Sequence, residues 1–382
     1  MFTTEYNIED FREAARRRLP RGLFDYIDRG NEDDVALRHN RSAFAKIKLL
    51  PRILAGVGDR DLSAEVLGHR HSLPFGIAPT GPAGYVRYKG EIELARAASR
   101  VGVPFILSCA ATVPMEEVIR DGSDGAKWFQ LYLSGDRLLS MRTIDRAWAA
   151  GFKTLVFTVD SIVSPNREFA ARSGYTVPPR VRPGIVLDAM LSPKWLVSTW
   201  GRYMLNGGLP QMMNYPLPDV GSIGQSAPPL KDDSIDWETL AEVRAAWPGK
   251  LVVKGVLNPQ DAVACAEAGA DAVIVSNHGA LLFDSCVSTI DSLGPVVDAV
   301  GGRIEVYLDS GIRRGSDIVK ALALGAKAVF LGRATLYALA ASGESGVVRA
   351  LELLRDEVDR TLACLGVASI SHLSRRHIVA AP

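Results

Sequence analysis

The chain has 382 residues, which is enough for one large domain or for two to three small ones. Hydrophobic residues make up 47% and charged residues 23%, so the composition predicts a sizeable core and excludes a largely disordered chain. The 44 basic and 43 acidic residues leave a net charge of +1, which excludes the basic footprint of a typical nucleic-acid-binding protein.

The cysteines and the N-terminus indicate a reducing compartment. The four cysteines show neither CxxC spacing nor the density of a secreted disulfide scaffold. The first ten residues contain acidic side chains and no apolar stretch, so no signal peptide is expected. No clean apolar run of about 18 residues occurs, so no membrane-spanning helix is predicted. We therefore expect a cytoplasmic protein.

Eight short apolar segments recur along the chain, and each ends in glycine or polar residues. They cover residues 73–81, 103–110, 127–134, 153–160, 250–255, 271–279, 304–311 and 326–333. Runs of this kind are typical of parallel strands buried on both faces. Segments with helical periodicity lie between them, at 90–102, 236–249, 258–270 and 315–326. Asp236 and Asn258 are predicted N-caps, and Gly249 and Gly269 are predicted C-terminal stops.

Strand followed by helix, repeated eight times, predicts an α/β fold, namely a (β/α)8 TIM barrel. A doubly wound open sheet is the alternative. The polar residues at nearly every strand end favour the barrel, and a short helical extension is assigned to the residues before the first strand.

The strand spacing breaks once, after the fourth strand, where residues 170–235 form a long insert rich in Pro and Gly. This composition predicts a loop rather than a second domain, so residues 1–382 are interpreted as a single domain. Within the insert, residues 185–205 are apolar with a few interspersed aromatic and basic residues, Trp195, Trp200, Lys194 and Arg202. Two interpretations stay open: an active-site lid or a segment that enters a membrane interface, and a partly buried helix on the barrel rim.

The active site of such a barrel lies at the carboxyl ends of its strands, so the polar residues found there are the candidates. They are Pro79, Thr80, Gly81, Ser108, Gln130, Tyr132, Thr158, Asp160, Lys254, Ser276, Asn277, His278, Gly279, Asp309, Ser310, Gly311, Ile312, Arg313, Gly332 and Arg333. We expect all of them to converge on one mouth.

The loops after the seventh and eighth strands predict a phosphate site. Gly311 and Gly332 permit close approach of the backbone, and the guanidinium groups of Arg313 and Arg333 match phosphate oxygens. The alternative is a pair of turn glycines with solvated arginines. The combination favours a phosphorylated cofactor.

His278 directly follows a buried strand and is the candidate general base, with Asp160 as the carboxylate that orients it. A structural histidine is the alternative. The other five histidines are expected at the surface, at His39, His69, His71, His372 and His377. None of the six has metal-ligand spacing with cysteine or carboxylates, so no metal is predicted.

Lys254 ends the fifth strand, where its ammonium group requires an anion. A reduced flavin, negative at its N1–O2 edge, is one candidate. A salt bridge to a neighbouring strand-end acid is the other.

Taken together, these motifs resemble the FMN-dependent 2-hydroxy acid oxidase and dehydrogenase family over nearly the whole chain. Within the family, the mandelate dehydrogenase branch is most similar, through PTG at 79–81, LDSGIRRGSDIVKALALGA at 308–326 and LGRATLYALAA at 331–341. The resemblance implies an FMN-dependent oxidoreductase that acts on a 2-hydroxy acid or a derivative of one.

The resemblance also implies roles for the strand-end residues. Pro79, Thr80 and Gly81 would pass under the flavin. Ser108, Gln130, Thr158, Lys254 and Ser276 would hold the isoalloxazine and ribityl groups. Asp309, Ser310, Gly311, Ile312, Arg313, Gly332 and Arg333 would bind the ribityl chain and phosphate. His278 would take the hydroxyl proton of the substrate while the α-hydrogen leaves to flavin N5, and Asp160 would steady the imidazolium. Tyr26 and Tyr132 would hydrogen-bond the substrate, and Arg167 would face its carboxylate.

The sequence departs from the family pattern where the carboxylate is bound. The family reads SNHGGRQLD or SNHGARQLD, and its arginine binds the carboxylate, whereas this chain reads SNHGALLFD with Leu281 at that position. Leu281, Leu282 and Phe283 are expected to form an apolar wall. Pro165 and Ala170 replace a glycine and an aspartate of the family pattern.

Three interpretations follow. The substrate is a 2-hydroxy acid held by Arg167 alone, or a larger apolar alcohol, ester, amide or peptide-like group without a free carboxylate, or the protein binds FMN without turnover. Retention of His278, Asp160 and Lys254 argues against the third interpretation.

The resemblance extends to partners. The electron acceptor is left open between oxygen, a quinone and a protein, although Gly81 resembles the dehydrogenase branch and favours the last two. The insert corresponds to the membrane anchor of the mandelate dehydrogenases, so residues 185–218 are a candidate for peripheral contact with the inner face of a membrane. A homo-oligomer, tetrameric by resemblance, is expected.

Overall fold

The computed structural model describes residues 4–175, 183–208, 210–214 and 232–380. Three helices and three short strands precede the barrel. They are α1 Ile8–Arg18, α2 Arg21–Asp28, α3 Val35–Lys46, β1 Ile47–Leu49, β2 Ala64–Val66 and β3 His69–His71. The predicted N-terminal helical extension is therefore present. Strands β2 and β3 pair with each other in an antiparallel hairpin.

Eight parallel strands then close a barrel. They are β4 Phe75–Ile77, β5 Phe105–Ser108, β6 Lys127–Leu131, β7 Thr154–Thr158, β8 Lys250–Val256, β9 Ala272–Val275, β10 Glu305–Leu308 and β11 Ala328–Leu331. Each pairs with the next along the chain, and β11 closes on β4. Each strand coincides with one of the eight predicted apolar segments, although β8 extends one residue beyond its segment, so the TIM barrel prediction is confirmed.

The remaining helices either surround the barrel or belong to the insert. They are α4 Ala83–Val86, α5 Gly90–Val101, α6 Met115–Asp121, α7 Arg137–Ala150, α8 Glu168–Ser173, α9 Pro183–Met190, α10 Pro193–Trp195, α11 Arg202–Leu205, α12 Trp237–Ala246, α13 Pro259–Glu267, α14 Thr289–Val300, α15 Gly315–Ala323 and α16 Arg333–Leu365. A π-helical turn, Leu196–Gly201, joins α10 to α11. Helix α16 is kinked at Gly343. A last strand, β12 Ile378–Ala380, pairs antiparallel with β1.

The predicted helix caps are mostly correct. The side chains of Asp236 and Asn258 accept hydrogen bonds from the first turns of α12 and α13. Gly269 follows the C-cap of α13 with a φ of 83°, the left-handed conformation that ends many helices. The prediction for α12 was wrong at Gly249, because the backbone is already extended at Trp247 and the helix ends at Ala246.

The barrel interior is a packed core. Inward-facing side chains include Trp128, Tyr307 and Phe330, whose ring centroids lie 5.3–6.0 Å apart. A larger apolar cluster fills the space between the strands and the surrounding helices. Because the interior is filled, a ligand has room only at the mouth formed by the carboxyl ends of the strands.

The described part of the insert packs on the barrel rim. Trp195 is buried, and its indole N–H donates to the backbone oxygen of Tyr85 at 2.9 Å. The hydroxyl of Tyr203 accepts a hydrogen bond from the backbone N–H of Lys89. These contacts agree with the rim-helix interpretation, while residues 176–182, 209 and 215–231 of the insert lie outside the described residues. Across the described ranges, no helix combines the length and apolarity needed to cross a membrane.

Candidate active site

His278, Asp160 and Tyr132 form a hydrogen-bonded triad at the barrel mouth. They follow β9, β7 and β6, so the closed barrel brings their side chains together. The imidazole Nδ1 of His278 lies 2.9 Å from Asp160 Oδ1, and its Nε2 lies 2.9 Å from the hydroxyl of Tyr132. His278 has a φ of 56°, in the left-handed region that non-glycine residues adopt only uncommonly.

The charges around Asp160 keep its carboxylate ionised. Burial alone raises the pKa of this carboxyl, but the nearby charges of His278 and Lys254 outweigh burial and hold the pKa below its usual value. An ionised Asp160 favours the tautomer in which Nδ1 of His278 carries the proton. Nε2 is then the acceptor and faces the cavity side occupied by Tyr132, as a general base requires.

Lys254 makes a buried ion pair. Its ammonium group lies 3.4 Å from Asp309 Oδ2 and donates to Ser276 Oγ at 3.0 Å. Lys254 is 4% exposed and Asp309 is 5% exposed. Ser310 donates to the other oxygen of Asp309 at 2.8 Å. The predicted salt bridge to a strand-end acid is therefore present, and it connects the ends of β8, β9 and β10.

A second polar network crosses the ends of β5, β6 and β7. Ser108 Oγ donates to Gln130 Oε1 at 3.1 Å, and Gln130 Nε2 donates to Thr158 Oγ1 at 3.0 Å. All three side chains are buried. Because each fixes the rotamer of the next, the network presents Ser108 to the cavity in a defined orientation.

Two arginines, Arg313 and Arg333, form a positive site at one end of the mouth. The guanidinium nitrogens of Arg333 donate to backbone oxygens of Ile27 at 2.8 Å, Gly279 at 2.7 Å and Arg29 at 2.9 Å. Burial lowers the pKa of Arg333 to about 10. Among the described residues, neither Arg333 nor Arg313 has a carboxylate within ion-pair distance. Both side chains are half-buried, and a cation that has no carboxylate partner there favours a bound anion.

One cavity connects these groups. With its open mouth included, the empty space between these groups is about 1110 Å³. The predicted residues that line it are Tyr26, Pro79, Thr80, Gly81, Ser108, Tyr132, Arg167, Lys254, His278, Gly279, Leu281, Asp309, Ser310, Gly311, Ile312, Arg313, Gly332 and Arg333. Four other predicted residues do not line the cavity but lie directly behind it: Gln130, Thr158, Asp160 and Ser276. Thr158 is hydrogen-bonded to Gln130, and each of the other three is hydrogen-bonded to a residue that lines the cavity.

The cavity suits a flat cofactor that carries a phosphate. A Cβ added at Gly81 would lie 2.9 Å from the Cβ of Ala110, so the backbone there is closely packed and an alanine would require a local shift. Thr80 Oγ1 is buried and has no hydrogen-bond partner among the described residues. A group with polar edges would satisfy that hydroxyl, and the Arg313–Arg333 end would hold its phosphate.

The substrate end of the cavity contains Arg167 against an apolar wall. Arg167 Nη2 donates to the backbone oxygen of Tyr26, and its guanidinium lies 4.2 Å from the Tyr26 ring centroid. Burial lowers the pKa of Arg167, and its Nε is buried without a partner in the described structure. Leu281 lines the same cavity. The substrate end of the cavity therefore contains one cation, Arg167, because Leu281 stands where the family pattern has a second arginine.

The loop after β9 is fastened to the N-terminal segment. The Asp284 carboxylate accepts hydrogen bonds from three backbone N–H groups at the start of α3, and Asn31 donates to the backbone oxygen of Leu282. Phe283 is 62% exposed. The expected wall of three side chains is wrong in this respect: Leu281 lines the cavity, but Phe283 lies in solvent because the loop turns at that point.

Sequence reasoning missed several apolar residues that line the cavity, among them Leu23, Ile27, Tyr85, Val86 and Leu336. Tyr85 and Val86 belong to α4 in the loop after β4, a position that the barrel rule could have indicated. Leu23 lies on α2, outside the barrel, and no sequence signal connects it to the site.

The prediction about the remaining histidines was wrong in part. His71 and His377 are buried, so the expectation that all five remaining histidines lie at the surface was wrong. Within the ranges that the structure covers, no cluster of three or more potential metal ligands occurs.

Comparison with known proteins identifies the family of the chain. The profile described as FMN-dependent dehydrogenase matches residues 15–380. The chain belongs to the FMN-dependent dehydrogenase family. Among its relatives, the (S)-mandelate dehydrogenase of Pseudomonas putida is 42% identical over 372 residues, which cover 97% of this chain and 92% of that protein. An L-lactate dehydrogenase of Caulobacter vibrioides is also 42% identical, with 96% and 95% covered.

Solved structures agree with this assignment. The crystal structure of the monotopic membrane protein (S)-mandelate dehydrogenase superposes with a TM-score of 0.91 and 40% identity, covering 99% of this chain and all of that chain. The FMN-dependent dehydrogenase is thus an oxidoreductase with FMN as its cofactor, and the predicted family, fold and cofactor are confirmed.

Proposed function

We propose that this FMN-dependent dehydrogenase oxidises 2-hydroxy acids to 2-oxo acids. The observation that carries the proposal is the His278–Asp160–Tyr132 triad, which shares one cavity with the buried cation Arg167. Relatives named for mandelate and lactate, both 2-hydroxy acids, support the substrate class. The whole chain acts as one domain in this proposal.

The cofactor half of the cavity would hold FMN through the strand ends. Arg313, Arg333 and the backbone at Gly311 and Gly332 would bind the phosphate. Lys254, at the Asp309 end of the cavity, would face the negative edge of the flavin. Pro79, Thr80 and Gly81 would lie under the ring, and the network of Ser108, Gln130 and Thr158, with Ser276, would fix its polar edge.

Bound FMN supplies the two-electron acceptor for the carbon that is oxidised. His278 Nε2 takes the proton of the substrate hydroxyl, and Asp160 stabilises the imidazolium that results. A general base of this kind contributes about 10²- to 10⁴-fold in rate. Tyr132, 2.9 Å from Nε2, is placed to hydrogen-bond the substrate oxygen as the proton moves.

Arg167 would bind the substrate carboxylate. Its buried guanidinium has no acidic partner among the described residues, so a substrate anion would relieve the cost of keeping the charge desolvated. Leu281 supports a second candidate, a neutral hydroxy amide or ester. An apolar side chain at this position cannot donate to a carboxylate, and it would tolerate an uncharged group.

A pair of matched compounds separates the two candidates. We would load the protein with FMN and follow flavin bleaching in the absence of oxygen, with mandelate and with its amide. Faster reduction by mandelate supports the hydroxy acid, and faster reduction by the amide supports the second candidate. No reduction of a yellow protein by either compound contradicts both.

The insert supports peripheral contact with a membrane. Its described helices expose large apolar side chains at Val186, Leu187, Met190, Leu191, Val197, Met204 and Leu205. Lys194 and Arg202 lie among them, as in segments that bind anionic lipid surfaces. We place this face against the inner surface of the cytoplasmic membrane, where a quinone or a membrane protein would accept the electrons. A homo-tetramer is the proposed assembly, from the family resemblance.

A further inference from the structure

Helix α2 is capped by a residue that is far away in sequence. Asp188, on α9 of the insert, accepts hydrogen bonds from the backbone N–H groups of Arg21 through Oδ1 and of Gly22 through Oδ2, both at 2.8 Å. The N-cap position of α2 is Pro20, which provides no side-chain cap. Two of the backbone donors that a helix leaves unpaired at its start are therefore satisfied by one carboxylate from another part of the chain.

The carboxylate also suits the position electrostatically. The start of a helix carries partial positive charge, and a negative side chain stabilises it there. Because Asp188 meets two N–H groups with two oxygens, it fixes the direction of α2 as well as its first turn. A single-acceptor side chain at residue 188 would lose half of this attachment.

Helix α2 carries much of the substrate side of the cavity. Leu23, Tyr26 and Ile27 all line it. The backbone oxygen of Tyr26 accepts from Arg167, and the backbone oxygen of Ile27 accepts from Arg333 at 2.8 Å. A shift of α2 would therefore move the Arg167 guanidinium together with the apolar side chains of Leu23 and Ile27.

The reacting groups are held by other elements. His278, Asp160 and Tyr132 follow barrel strands, and their hydrogen bonds to one another involve no residue of α2. Loosening α2 would thus disturb substrate binding more than proton transfer.

We propose that Asp188 is a positioning residue for the substrate side of the pocket, through which the insert controls the placement of Tyr26 and Arg167. As far as the substrate is concerned, this inference rests on the proposed oxidation of 2-hydroxy acids. The exposed residues Leu187 and Met190 lie on the same helix as Asp188, so the element that fixes α2 is also the one that faces the surroundings.

The test compares Asp188→Asn with Asp233→Asn in the FMN-loaded protein. Asp233 is also in the insert, is exposed and makes no hydrogen bond or ion pair with any described residue, so the two variants lose the same charge. Hydrogen exchange measured by mass spectrometry reports on the amides of α2. Steady-state turnover with an artificial electron acceptor, measured over a range of mandelate concentrations, separates KM from kcat.

We expect Asp188→Asn to speed amide exchange in α2 by about two- to thirtyfold, the range for loss of a helix cap. We expect KM for mandelate to rise about threefold or more, while kcat changes less than twofold. Asp188→Glu should partly restore both the slow amide exchange of α2 and the low KM. Asp233→Asn should match the wild type in exchange and in KM.

Exchange and KM that stay at the control values in Asp188→Asn would overturn the proposal, and so would a loss confined to kcat. Failure of the proposed function gives a different result, a wild-type flavin that no 2-hydroxy acid reduces. In that case α2 exchange alone decides: acceleration in Asp188→Asn supports the positioning role, and no acceleration overturns it.

Discussion

The two halves of the cavity differ in how they are built. The cofactor half consists of barrel strand ends, whose side chains are fixed by networks that pass from one strand to the next, as in Ser108–Gln130–Thr158. The substrate half is assembled from α2, Arg167 and the loop after β9, and the insert contacts α2 through Asp188. The first half follows from the fold itself, whereas the second depends on contacts between segments far apart in sequence. Substrate specificity can therefore change while the cofactor site stays the same.

The largest expected effect concerns the base. Asparagine at position 278 keeps hydrogen-bonding capacity but cannot take a proton at neutral pH. We expect His278→Asn to slow anaerobic flavin reduction about 10²- to 10⁴-fold. His372→Asn, at an exposed histidine, is the control. FMN content should be unchanged, because His278 is not among the groups assigned to the phosphate. Reduction within threefold of the wild type would show that another group acts as the base.

The cofactor half can be broken at its ion pair. Lys254→Met leaves the buried Asp309 carboxylate without its cation, and we expect a loss of about 3–5 kcal/mol in the free energy of unfolding, measured with urea. Lys254→Met combined with Asp309→Asn removes the uncompensated charge, so the double variant should be more stable than the single one. Equal stability of the two variants would mean that the pair is not the source of the loss.

The substrate half can be rebuilt at Leu281. Leu281→Arg adds a second cation to the cavity end that already holds Arg167. We expect kcat/KM for mandelate to rise relative to its amide by about 30-fold, which corresponds to about 2 kcal/mol. Leu282→Arg is the matched control, because Leu282 does not line the cavity. An equal change in both variants would trace the effect to overall charge rather than to the pocket.

A smaller effect is expected at the insert surface. Replacing Leu187 and Met190 with serine removes exposed apolar area, so binding to vesicles that contain anionic lipid should weaken by about 1 kcal/mol per side chain, measured by sedimentation. Leu138→Ser, at an exposed leucine on α7, is the control. Flavin reduction by mandelate should not change. Vesicle binding equal to that of the wild type would contradict membrane contact through this face.

The smallest effect depends on pH. Because the pKa of Asp160 is lowered in the folded protein, its contribution to stability is complete above the unfolded value of about 4 and is lost as the pH falls through the folded value. The difference in unfolding free energy between the wild type and Asp160→Asn should be present at pH 5 and shrink below about pH 4. A difference that does not shrink below pH 4 would contradict the lowered pKa.

The sequence predicted the cofactor half well for a physical reason. In the sequence, a parallel barrel strand appears as an uninterrupted apolar run, and polar residues mark its carboxyl end. Lys254 and His278 could therefore be located by inspection. The partners of these two residues were harder to find. Asp160 and a strand-end acid for Lys254 were nevertheless predicted, because the order of the strands fixes which strand ends are neighbours.

The substrate half could not be predicted in the same way. Nothing in the sequence connects Asp188 to α2, since the two hydrogen bonds depend on where α9 packs. The exposed position of Phe283 depends on the turn that Asp284 fixes through its bonds to α3. The backbone partners of Arg333 belong to α2 and to the loop after β9, and long-range contacts of this kind leave no local pattern.

The most direct test of the central claim is an anaerobic titration of the FMN-loaded protein with mandelate, followed by flavin absorbance. We predict bleaching that saturates with mandelate in the wild type and is slowed at least 100-fold in His278→Asn. A protein that takes up FMN but stays yellow with every 2-hydroxy acid would contradict the proposed substrate class. A protein that cannot be loaded with FMN at all would contradict the assignment of the cavity.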